Sequence, residues 1–461
     1  MRLACLFLTR SGLDRFVAAS SGAQQQVNRQ VEEAMVAYRQ TETTRLAKDM
    51  PRRDITVTQD ETFTGGLCLV TMDPDSNFIL VEQLAEARDQ TTWNALMAPA
   101  LAQRNCQVMQ STSDEAPGLL AYVEHYREAH HSPDVFHVQH ALRKAVSAPM
   151  ATKERAAHKA VAEAQEQLEQ VQTHLQTTDD EPEKRGPSRS PKAPVSLEQA
   201  QHELEAALHE HERLVEQREQ VTRSIRAIGH DDHGVDLERG VRRNGRLVAS
   251  DIQEHIEQVR AIAQHEGLSQ TGVERMEKAE RVVPNMQATI EFVSRYVRQQ
   301  VDQLDVTPPA AFTVHAKLIP SLYLDRVAQT RTVRDGAPLR ELAERLRAPL
   351  FEPGGPLSAL SPEAQNQLHD EAKRLAAVVQ RSSANVEGRN GYLSLRNHQL
   401  RGRDLPRKRE CFTTMHNFFL TRPDGTTAAE RLFGQKPRSM FTAILESVEL
   451  PPAPLSPPRR A

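Results

Sequence analysis

The sequence has few aromatic residues, few cysteines and no long apolar run. Aromatic residues make up 4% of the 461 residues, with a single tryptophan, Trp93. The four cysteines show no Cys-x-x-Cys or other ligand-like spacing, which argues against a disulfide framework or a zinc site and fits a reducing compartment. No apolar stretch is long enough to cross a bilayer, and the run after Met1 is too short for a signal peptide. We therefore expect a soluble, intracellular protein with no membrane partner.

The chain also lacks a strong charge of either sign. Its formal net charge is −4, and charged residues make up 26% of the composition. No global field draws such a chain to a nucleic acid, so any nucleic-acid surface has to be local. The chain does have length, because 461 residues suffice for two or three domains with well-buried cores.

The first part of the chain divides into a helical segment and a mixed segment. Residues 12–50 are rich in Gln, Glu, Ala and Arg, which predicts one or two helices within a helical segment 1–53. Residues 54–148 alternate strand and helix patterns in the order β-β-β-α-β-α-β-α. Asp89 is expected to cap the first of these helices, and the fifth strand is predicted at 134–139. The fold class is therefore α/β, a mixed sheet with flanking helices.

The rest of the chain is mostly helical. Residues 149–361 are rich in helix formers, and residues 150–227 among them carry Leu and Val at heptad-like distances, interrupted by a Pro-rich, charged linker at 177–194. This pattern predicts a large all-α insertion that contains a helical hairpin or coiled coil. Residues 362–450 contain further helices, the first at 362–381, and the Pro-rich tail 451–461 is expected to be disordered.

Three acidic residues have local settings that favour a metal site. Asp60 lies in a strand-like alternation, Asp114 ends the fourth strand pattern, and Glu387 opens a basic, helical stretch in Asn-Val-Glu-Gly-Arg-Asn. Carboxylates from two strand ends and a helix can together hold divalent cations beside a phosphodiester. The sequence therefore points to nucleic-acid chemistry.

Other acids remain open as alternatives. Glu61 could replace Asp60, although strand alternation puts it on the opposite face, and Asp114 also fits the N-cap of the following helix. The turn around Pro74 offers Asp73 and Asp75. The rivals of Glu387 are Glu371 and Glu410.

Several short sequence motifs, taken in chain order, resemble those of bacterial DDE transposases. They are Asp60-Glu-Thr-Phe-Thr, Thr112-Ser-Asp-Glu, Asp134-Val-Phe-His-Val-Gln-His, Asn385-Val-Glu-Gly-Arg-Asn-Gly, and a segment from His416-Asn417 through Arg422-Pro423 to Glu430-Arg. The strand order of 54–140 is also similar to the first part of an RNase H-like fold. The resemblance covers about 54–148 and 380–438, less than half of the chain.

The resemblance implies a function and a site. It implies an RNase H-like catalytic core split by the helical insertion, with Asp60, Asp114 and Glu387 as catalytic metal ligands. The cofactor would be Mg²⁺, with Mn²⁺ able to substitute, and the activity would be DNA strand cleavage and strand transfer at transposon ends. The partners would be transposon-end and target DNA and a second copy of the chain, and the location would be the nucleoid of the cytoplasm. Segment 1–53 is short for a separate end-recognition domain, so we expect either a truncated DNA-binding region, with an inactive copy, or end recognition by the insertion.

A basic stretch follows Glu387. Between Arg381 and Glu410 there are eight Lys or Arg and three acids, a local charge of +5, which suits contacts to backbone phosphates, although a solvated helix face is the alternative. The predicted DNA-binding residues are Arg389, Arg396, Arg401, Arg403, Arg407, Lys408 and Arg409. His137 and His140 are possible auxiliary residues for phosphate contact or proton transfer, or simply histidines bonded within the fold.

A second hypothesis is a non-catalytic DNA-binding or scaffold protein derived from a truncated transposase. Such a protein would bind DNA in a salt-dependent way and would not nick it in Mg²⁺ or Mn²⁺. Cleavage assays distinguish the two hypotheses.

Overall fold

The computed structural model describes residues 2–63, 65–178, 195–267, 269–399 and 406–449. The chain divides into two units, in which Met1–Asp134 and Asp370–Ala461 form unit 1 and Val135–His369 form unit 2. The sequence prediction put the divisions at 148 and 361. Most of the linker predicted at 177–194 and the tail 451–461 lie outside the described residues.

Unit 1 contains a five-stranded mixed sheet. Its strands are β1 (Arg53–Phe63), β2 (Leu67–Asp73), β3 (Phe78–Leu84), β4 (Cys106–Ser113) and β5 (His130–Pro133). Their order across the sheet is β3-β2-β1-β4-β5. The β1–β2 and β2–β3 pairs are antiparallel, whereas β1–β4 and β4–β5 are parallel. The α/β class is therefore confirmed.

Helices make up most of the remaining described chain. In chain order they are α1 (Arg2–Arg10), α2 (Ser21–Ala47), α3 (Gln90–Gln103), α4 (Pro117–Tyr122), α5 (Val135–Leu142), α6 (Ala148–Thr178), α7 (Leu197–Asp231), α8 (Gly245–His265), α9 (Gln270–Arg281), α10 (Val283–Asp302), α11 (Pro308–Thr313), α12 (Ile319–Gln329), α13 (Val333–Phe351), α14 (Pro362–Ala377), α15 (Ala384–Gln399), α16 (Pro406–Phe418), α17 (Ala428–Phe433) and α18 (Met440–Ser447). No described helix has both the length and the apolar character needed to span a bilayer.

The sheet of unit 1 is buried on both faces. One face packs against α2, α3, α16 and α17 in a core that includes Ile55, Leu69, Trp93 and Phe418. The other face packs against α15 in a smaller cluster of Cys68, Val70, Met72, Ile79, Val386 and Leu393. Since successive strand residues point to opposite faces, the antiparallel pairing of Asp60 with Val70 puts Asp60 on the face that α15 covers.

The predicted strands and helices of the first half are largely confirmed. The Asp89 side chain caps α3, since its Oδ1 accepts a hydrogen bond from Thr92 N at 2.9 Å. Trp93, Met97 and Leu101 are buried on one side of this helix, as the helical spacing predicts.

The predicted fifth strand at 134–139 is wrong. The strand is His130–Pro133, and Val135–Leu142 is already helical. The buried residues of this helix are Val135, Val138 and Leu142, three and four residues apart, which is the helical period. The strand itself escaped prediction because His-His-Ser-Pro has no apolar run.

Unit 2 is helical, as predicted for the insertion. Its core is lined by residues from α5 to α10, such as Val138, Ile225, Ile256 and Ile290. Helices α6 and α7 pack side by side. Glu154 pairs with Arg218, whereas His158, further along α6, makes an edge-to-face ring contact with His211, earlier in α7. The two helices therefore form an antiparallel pair.

One asparagine closes the edge of the sheet. The backbone N of Ile79 in β3 donates to Asn417 Oδ1 at 2.9 Å, and Asn417 Nδ2 donates to Ile79 O at 2.9 Å. Both groups are buried, and Asn417 is 1% exposed. The Asn417 amide thus forms the two hydrogen bonds that a residue of a further neighbouring strand would form. It satisfies backbone groups of the edge strand that would otherwise have no hydrogen-bond partner.

We expect Asn417→Ala to lower the free energy of unfolding of unit 1 by roughly 2–4 kcal/mol, because two buried backbone groups lose their partners. Trp93, the only tryptophan, is fully buried in this unit, so its fluorescence follows urea unfolding of unit 1. The matched control is Asn28→Ala, since Asn28 is exposed on α2. Equal effects of the two substitutions would contradict the edge role.

Candidate metal centre

Two of the predicted acids belong to neighbouring strands, Asp60 within β1 and Asp114 directly after β4. The parallel strands β1 and β4 pair Thr58 with Thr112, and Asp60 and Asp114 each follow two residues later. Residues two apart point to the same face of a sheet. Asp60 and Asp114 therefore lie beside each other on the face that α15 covers.

The segment that precedes α15 is tied to this face by one carbonyl. The Gln380 O accepts from Gln110 Nε2 at 2.8 Å, from Ser132 Oγ at 3.3 Å and from Thr112 Oγ1 at 3.4 Å. The donors come from β4 and β5 and are buried. Three strand residues thereby hold the backbone that leads into the helix with Glu387.

Ser383 connects Glu387 to a fourth acid, Asp134. Asp134 Oδ2 accepts from Ser383 N at 2.9 Å and from the Ser383 hydroxyl, and this hydroxyl lies 3.4 Å from Glu387 Oε1. A carboxylate oxygen of Asp134 lies within 4.8 Å of one from Glu387. Asp134 is 2% exposed, so a buried carboxylate fixes the start of α15 and lies near the predicted ligand.

Asn390 joins Glu387 on α15 and contacts Asp60. Asn390 Nδ2 donates to Asp60 Oδ2 at 2.6 Å, and the backbone N of Glu61 donates to Asp60 Oδ1 at 2.8 Å. The Oδ1 of Asn390 is buried and has no hydrogen-bond donor among the described residues. An amide oxygen thus faces the site beside the carboxylate of Asp60.

The charges of the site act on Asp60. Burial raises the pKa of Asp60 to about 6, and the negative charges of Asp114 and Glu387 raise it further. The hydrogen bonds from Glu61 N and the Asn390 amide oppose this rise in pKa. The carboxylates of Asp114 and Glu387 are therefore close enough for their negative charges to act on Asp60.

Asp114 lies at the exposed edge of the cluster. Its Oδ1 accepts from Ala116 N at 3.2 Å. The N-cap of α4 is Ala116, with no side-chain cap hydrogen bond, so the N-cap alternative for Asp114 is wrong. Nearby, His131 Nε2 lies 2.9 Å from Ser113 Oγ. Burial lowers the pKa of His131 to about 4, an effect that the charge of His130 strengthens and Asp114 opposes. His131 is therefore neutral at physiological pH.

The alternative acids are engaged elsewhere. Glu61 lies on the other face, where Oε2 accepts from Arg88 at 2.8 Å, and the buried Asp73 accepts from Ser76 within the turn. The remaining ion pairs are Asp75 with Arg53, Glu371 with Arg374 and Glu410 with Arg39. Because these alternative acids have partners elsewhere, Asp60, Asp114 and Glu387 remain the favoured members of the candidate site.

The predicted DNA-binding residues differ widely in exposure. Arg389 is buried, with Nε and Nη2 donating to Glu82 of β3 at 2.5 and 2.9 Å, so it fastens α15 to the sheet and has no surface for a phosphate. Arg409 is also buried, and Arg396 lies over the rings of Tyr392 and Phe412.

The other members of the basic stretch divide into two groups. Arg407 is exposed and pairs with Glu33 at 2.9 Å, and Lys408 is partly exposed. Arg401 and Arg403 lie outside the described residues. The DNA contact of these residues stays a prediction.

Several site residues escaped the sequence analysis. Asp134, Ser383 and His131 were not singled out, and Asn390 appears only within the motif that begins at Asn385. Asp134 is the first residue of one of the motifs that carry the resemblance. Asn390 follows Glu387 by three residues, which puts Glu387 and Asn390 on one face of the helix. His137 and His140 belong to unit 2, on α5, and their auxiliary role stays a prediction.

Residues 314–460 match a family that is described as a family of unknown function, DUF6399. The matched region includes Glu387 and Asn390 and excludes Asp60 and Asp114. No curated protein and no solved structure matches the chain.

We expect Asp60→Asn to raise the free energy of unfolding of unit 1 by up to about 3 kcal/mol at pH 7, because one pKa unit is worth about 1.4 kcal/mol. The pKa of Asp60 is raised in the folded protein, so the cost of its charge is full above pH 6 and disappears below about pH 4. The introduced amide also suits the site, since its N–H group can donate to Asn390 Oδ1 once the Asn390 amide turns over.

Urea unfolding followed by Trp93 fluorescence at pH 7.5, 5.5 and 4 tests this expectation. The control is Asp49→Asn, since Asp49 is exposed in the same unit. A gain in stability that does not shrink as the pH falls would refute the assigned repulsion.

We expect Arg389→Met to lower the free energy of unfolding of unit 1 by about 3–5 kcal/mol, because it leaves Glu82 buried without its cation. The double substitution Arg389→Met with Glu82→Met should recover most of this loss. The same urea titration measures both variants. A single substitution that weakens DNA binding and leaves stability unchanged would instead return Arg389 to the DNA surface.

Proposed function

We propose that the protein is a DDE-type transposase that cleaves DNA strands and transfers them at transposon ends, with divalent cations held by Asp60, Asp114 and Glu387. The observation that carries the proposal is the convergence of these three acids from β1, β4 and α15, in which two of them raise the pKa of the third. Nucleoid DNA in the cytoplasm is the proposed place of action.

The topology supports an RNase H-like core. The first acid lies on β1 and the second follows β4, with β4 parallel to β1 and β2 antiparallel to it, which is the arrangement that the resemblance implies. The chain leaves unit 1 after Asp134 and returns at Asp370. We propose that unit 2 is the helical insertion that splits the catalytic core.

The residues fit a hard divalent cation such as Mg²⁺, with Mn²⁺ as a substitute. Carboxylates and amide oxygens are the ligands such cations prefer, and the site offers three acids together with the buried, unsatisfied Oδ1 of Asn390. Bound cations would neutralise charge on the phosphodiester, activate an oxygen nucleophile and stabilise the leaving oxygen.

The chain's own residues would orient the site and maintain its charge. Asn390 and the N–H of Glu61 fix both oxygens of Asp60, which positions that carboxylate before any ligand arrives. Asp134 and Ser383 set the start of α15 and thereby the position of Glu387. Preorganised groups of this kind contribute to rate because they need no rearrangement during the reaction.

Assembly as a dimer on paired ends is part of the proposal. The hairpin of α6 and α7 is the proposed coiled-coil arm, since it exposes Leu175 at 48% and Leu208 at 39%. Exposed leucines on a long helical pair are typical of a surface that packs against another helix.

We expect Asp60→Ala, Asp114→Ala and Glu387→Ala each to lower Mn²⁺-dependent DNA cleavage by at least about 100-fold, because each removes a ligand for the charge that stabilises the transition state. The assay measures nicking of supercoiled plasmid and strand transfer of duplexes that carry the DNA flanking the gene. The matched control is Glu124→Ala, since Glu124 is exposed in the same unit.

DNA binding, measured in parallel by anisotropy, should survive all four substitutions. Binding of DNA by the wild type without cleavage in either Mg²⁺ or Mn²⁺ would favour the non-catalytic scaffold. Full activity in one of the three variants would remove that residue from the site.

A further inference from the structure

A basic cavity lies within unit 2, the helical unit Val135–His369. It has a volume of about 540 Å³, opens to solvent, and is lined by His140, Arg143, Lys144, Ser147, Ala148, Arg218, Thr222, Ile225 and Arg226. Four of these residues are permanent cations, and none of the described residues lining the cavity is acidic. We propose that this cavity binds the phosphate backbone of duplex DNA.

The shape of the cavity follows from how α5 and α7 meet. Gln139 Nε2 donates to Ile225 O at 2.7 Å, and a Cβ on Gly229 would lie 2.6 Å from Gln139 Nε2. A side chain at position 229 would displace the Gln139 amide from this position. The two helices are therefore tightly joined at one point, and the cavity lies just beyond it.

A π-helical turn forms one wall. Residues Arg143–Ser147 are π-helical and connect α5 to α6. The wider turn places an extra residue in the helix and redirects the side chains around it, and such turns are common at functional sites. Here the turn carries Arg143 and Lys144, which are both exposed.

A row of side chains on α7 forms the opposite wall. Arg218, Thr222 and Arg226 are four residues apart and so lie along one side of the helix. The row spans roughly 12 Å at 1.5 Å per residue. A row of that length can meet several phosphates of a polymer, whereas a single small anion would contact one part of it.

The charge of the cavity is mostly uncompensated. Arg218 pairs with Glu154, whereas Arg143, Lys144 and Arg226 have no carboxylate partner in the part of the chain that the structure describes. The cavity has four cations, and Glu154 neutralises one of them, so its local charge is about +3. The net charge of the whole chain is −4. This local surplus is what a chain with no global attraction to DNA requires.

The decisive variant is the triple substitution Arg143→Gln, Lys144→Gln and Arg226→Gln in the full chain. The matched control removes three exposed cations of unit 2 outside the cavity, through Arg155→Gln, Arg223→Gln and Lys278→Gln. The two variants lose the same charge. The probe is a fluorescent 30-base-pair duplex in EDTA, titrated by anisotropy over a range of salt concentrations.

We expect the cavity variant to bind the duplex roughly 10-fold or more weakly at 0.1 M salt, with the slope of log K against log salt reduced by about 2 to 3, since each phosphate contact contributes about 0.9. The control variant should change both quantities by less than half as much. Equal losses in the two variants would overturn the proposal, because net charge alone would then explain binding.

Two further measurements sharpen the test. Arg226→Glu alone should weaken duplex binding more than Arg223→Glu, and thermal unfolding of each variant confirms that the helices remain folded. Inorganic pyrophosphate distinguishes the source of the phosphate. If the cavity variant loses pyrophosphate binding while duplex binding by both triple variants stays equal, the cavity takes a small anion and the proposal is wrong.

The inference rests on the proposed function only in taking DNA as the ligand. Binding is measured without divalent cations, whereas the catalytic proposal is tested by cleavage. A protein that binds the duplex through the cavity and never cuts it would overturn the proposed function and support the cavity. If the protein cuts DNA, and both triple variants cut and bind DNA equally well, the proposed function is supported and the cavity proposal is overturned.

Discussion

The candidate site depends on hydrogen bonds from the sheet to a single backbone carbonyl, that of Gln380. This oxygen accepts donors from Gln110, Thr112 and Ser132. The donors belong to strands, which are rigid, and the acceptor belongs to the short passage between two helices. Because a buried carbonyl is costly to leave without partners, the passage has one favoured position on the sheet. The position of Glu387 and Asn390 beside Asp60 follows from it.

Polar residues in the middle of a sheet are otherwise unfavourable, and here they have a structural reason. Thr56 in β1 and Gln110 and Thr112 in β4 are buried, and their side chains donate to the backbone carbonyls of Val378 and Gln380. An apolar face would bury more favourably but would not hold an irregular backbone segment. The β1 and β4 strands therefore give up part of their apolar packing, and in return they position a helix that comes from a distant part of the chain.

The sequence predicted the elements of the sheet where apolar alternation is strong, as in β1 and β2, and the cap at Asp89. It failed at β5, because a four-residue strand of His, Ser and Pro carries no periodic signal, and because pairing with β4 decides its conformation. The acids Asp60, Asp114 and Glu387 were predicted from short local motifs, and the structure brings them together. The bond from Ser383 to Asp134 could not be predicted, since it joins residues 249 apart in the chain.

The sequence also did not predict which arginines of the basic stretch are buried. A run of Lys and Arg looks like a uniform basic surface, but Arg389 and Arg409 point into the protein while Arg407 faces solvent. Helical spacing alone cannot say which of these cations meets a buried acid. That depends on Glu82, which lies on a strand more than three hundred residues earlier.

The division of unit 1 into two stretches of sequence has a consequence for synthesis. Asp60, Asp114 and Asp134 leave the ribosome before unit 2, and Glu387 only after it. At about 5–20 residues per second, the delay is on the order of ten seconds to a minute. During that time the sheet carries Asp60 and Asp114, and Glu387 has not been made. A nascent chain would therefore carry an incomplete candidate site, and the cleavage that we propose would begin only after Glu387 has been added.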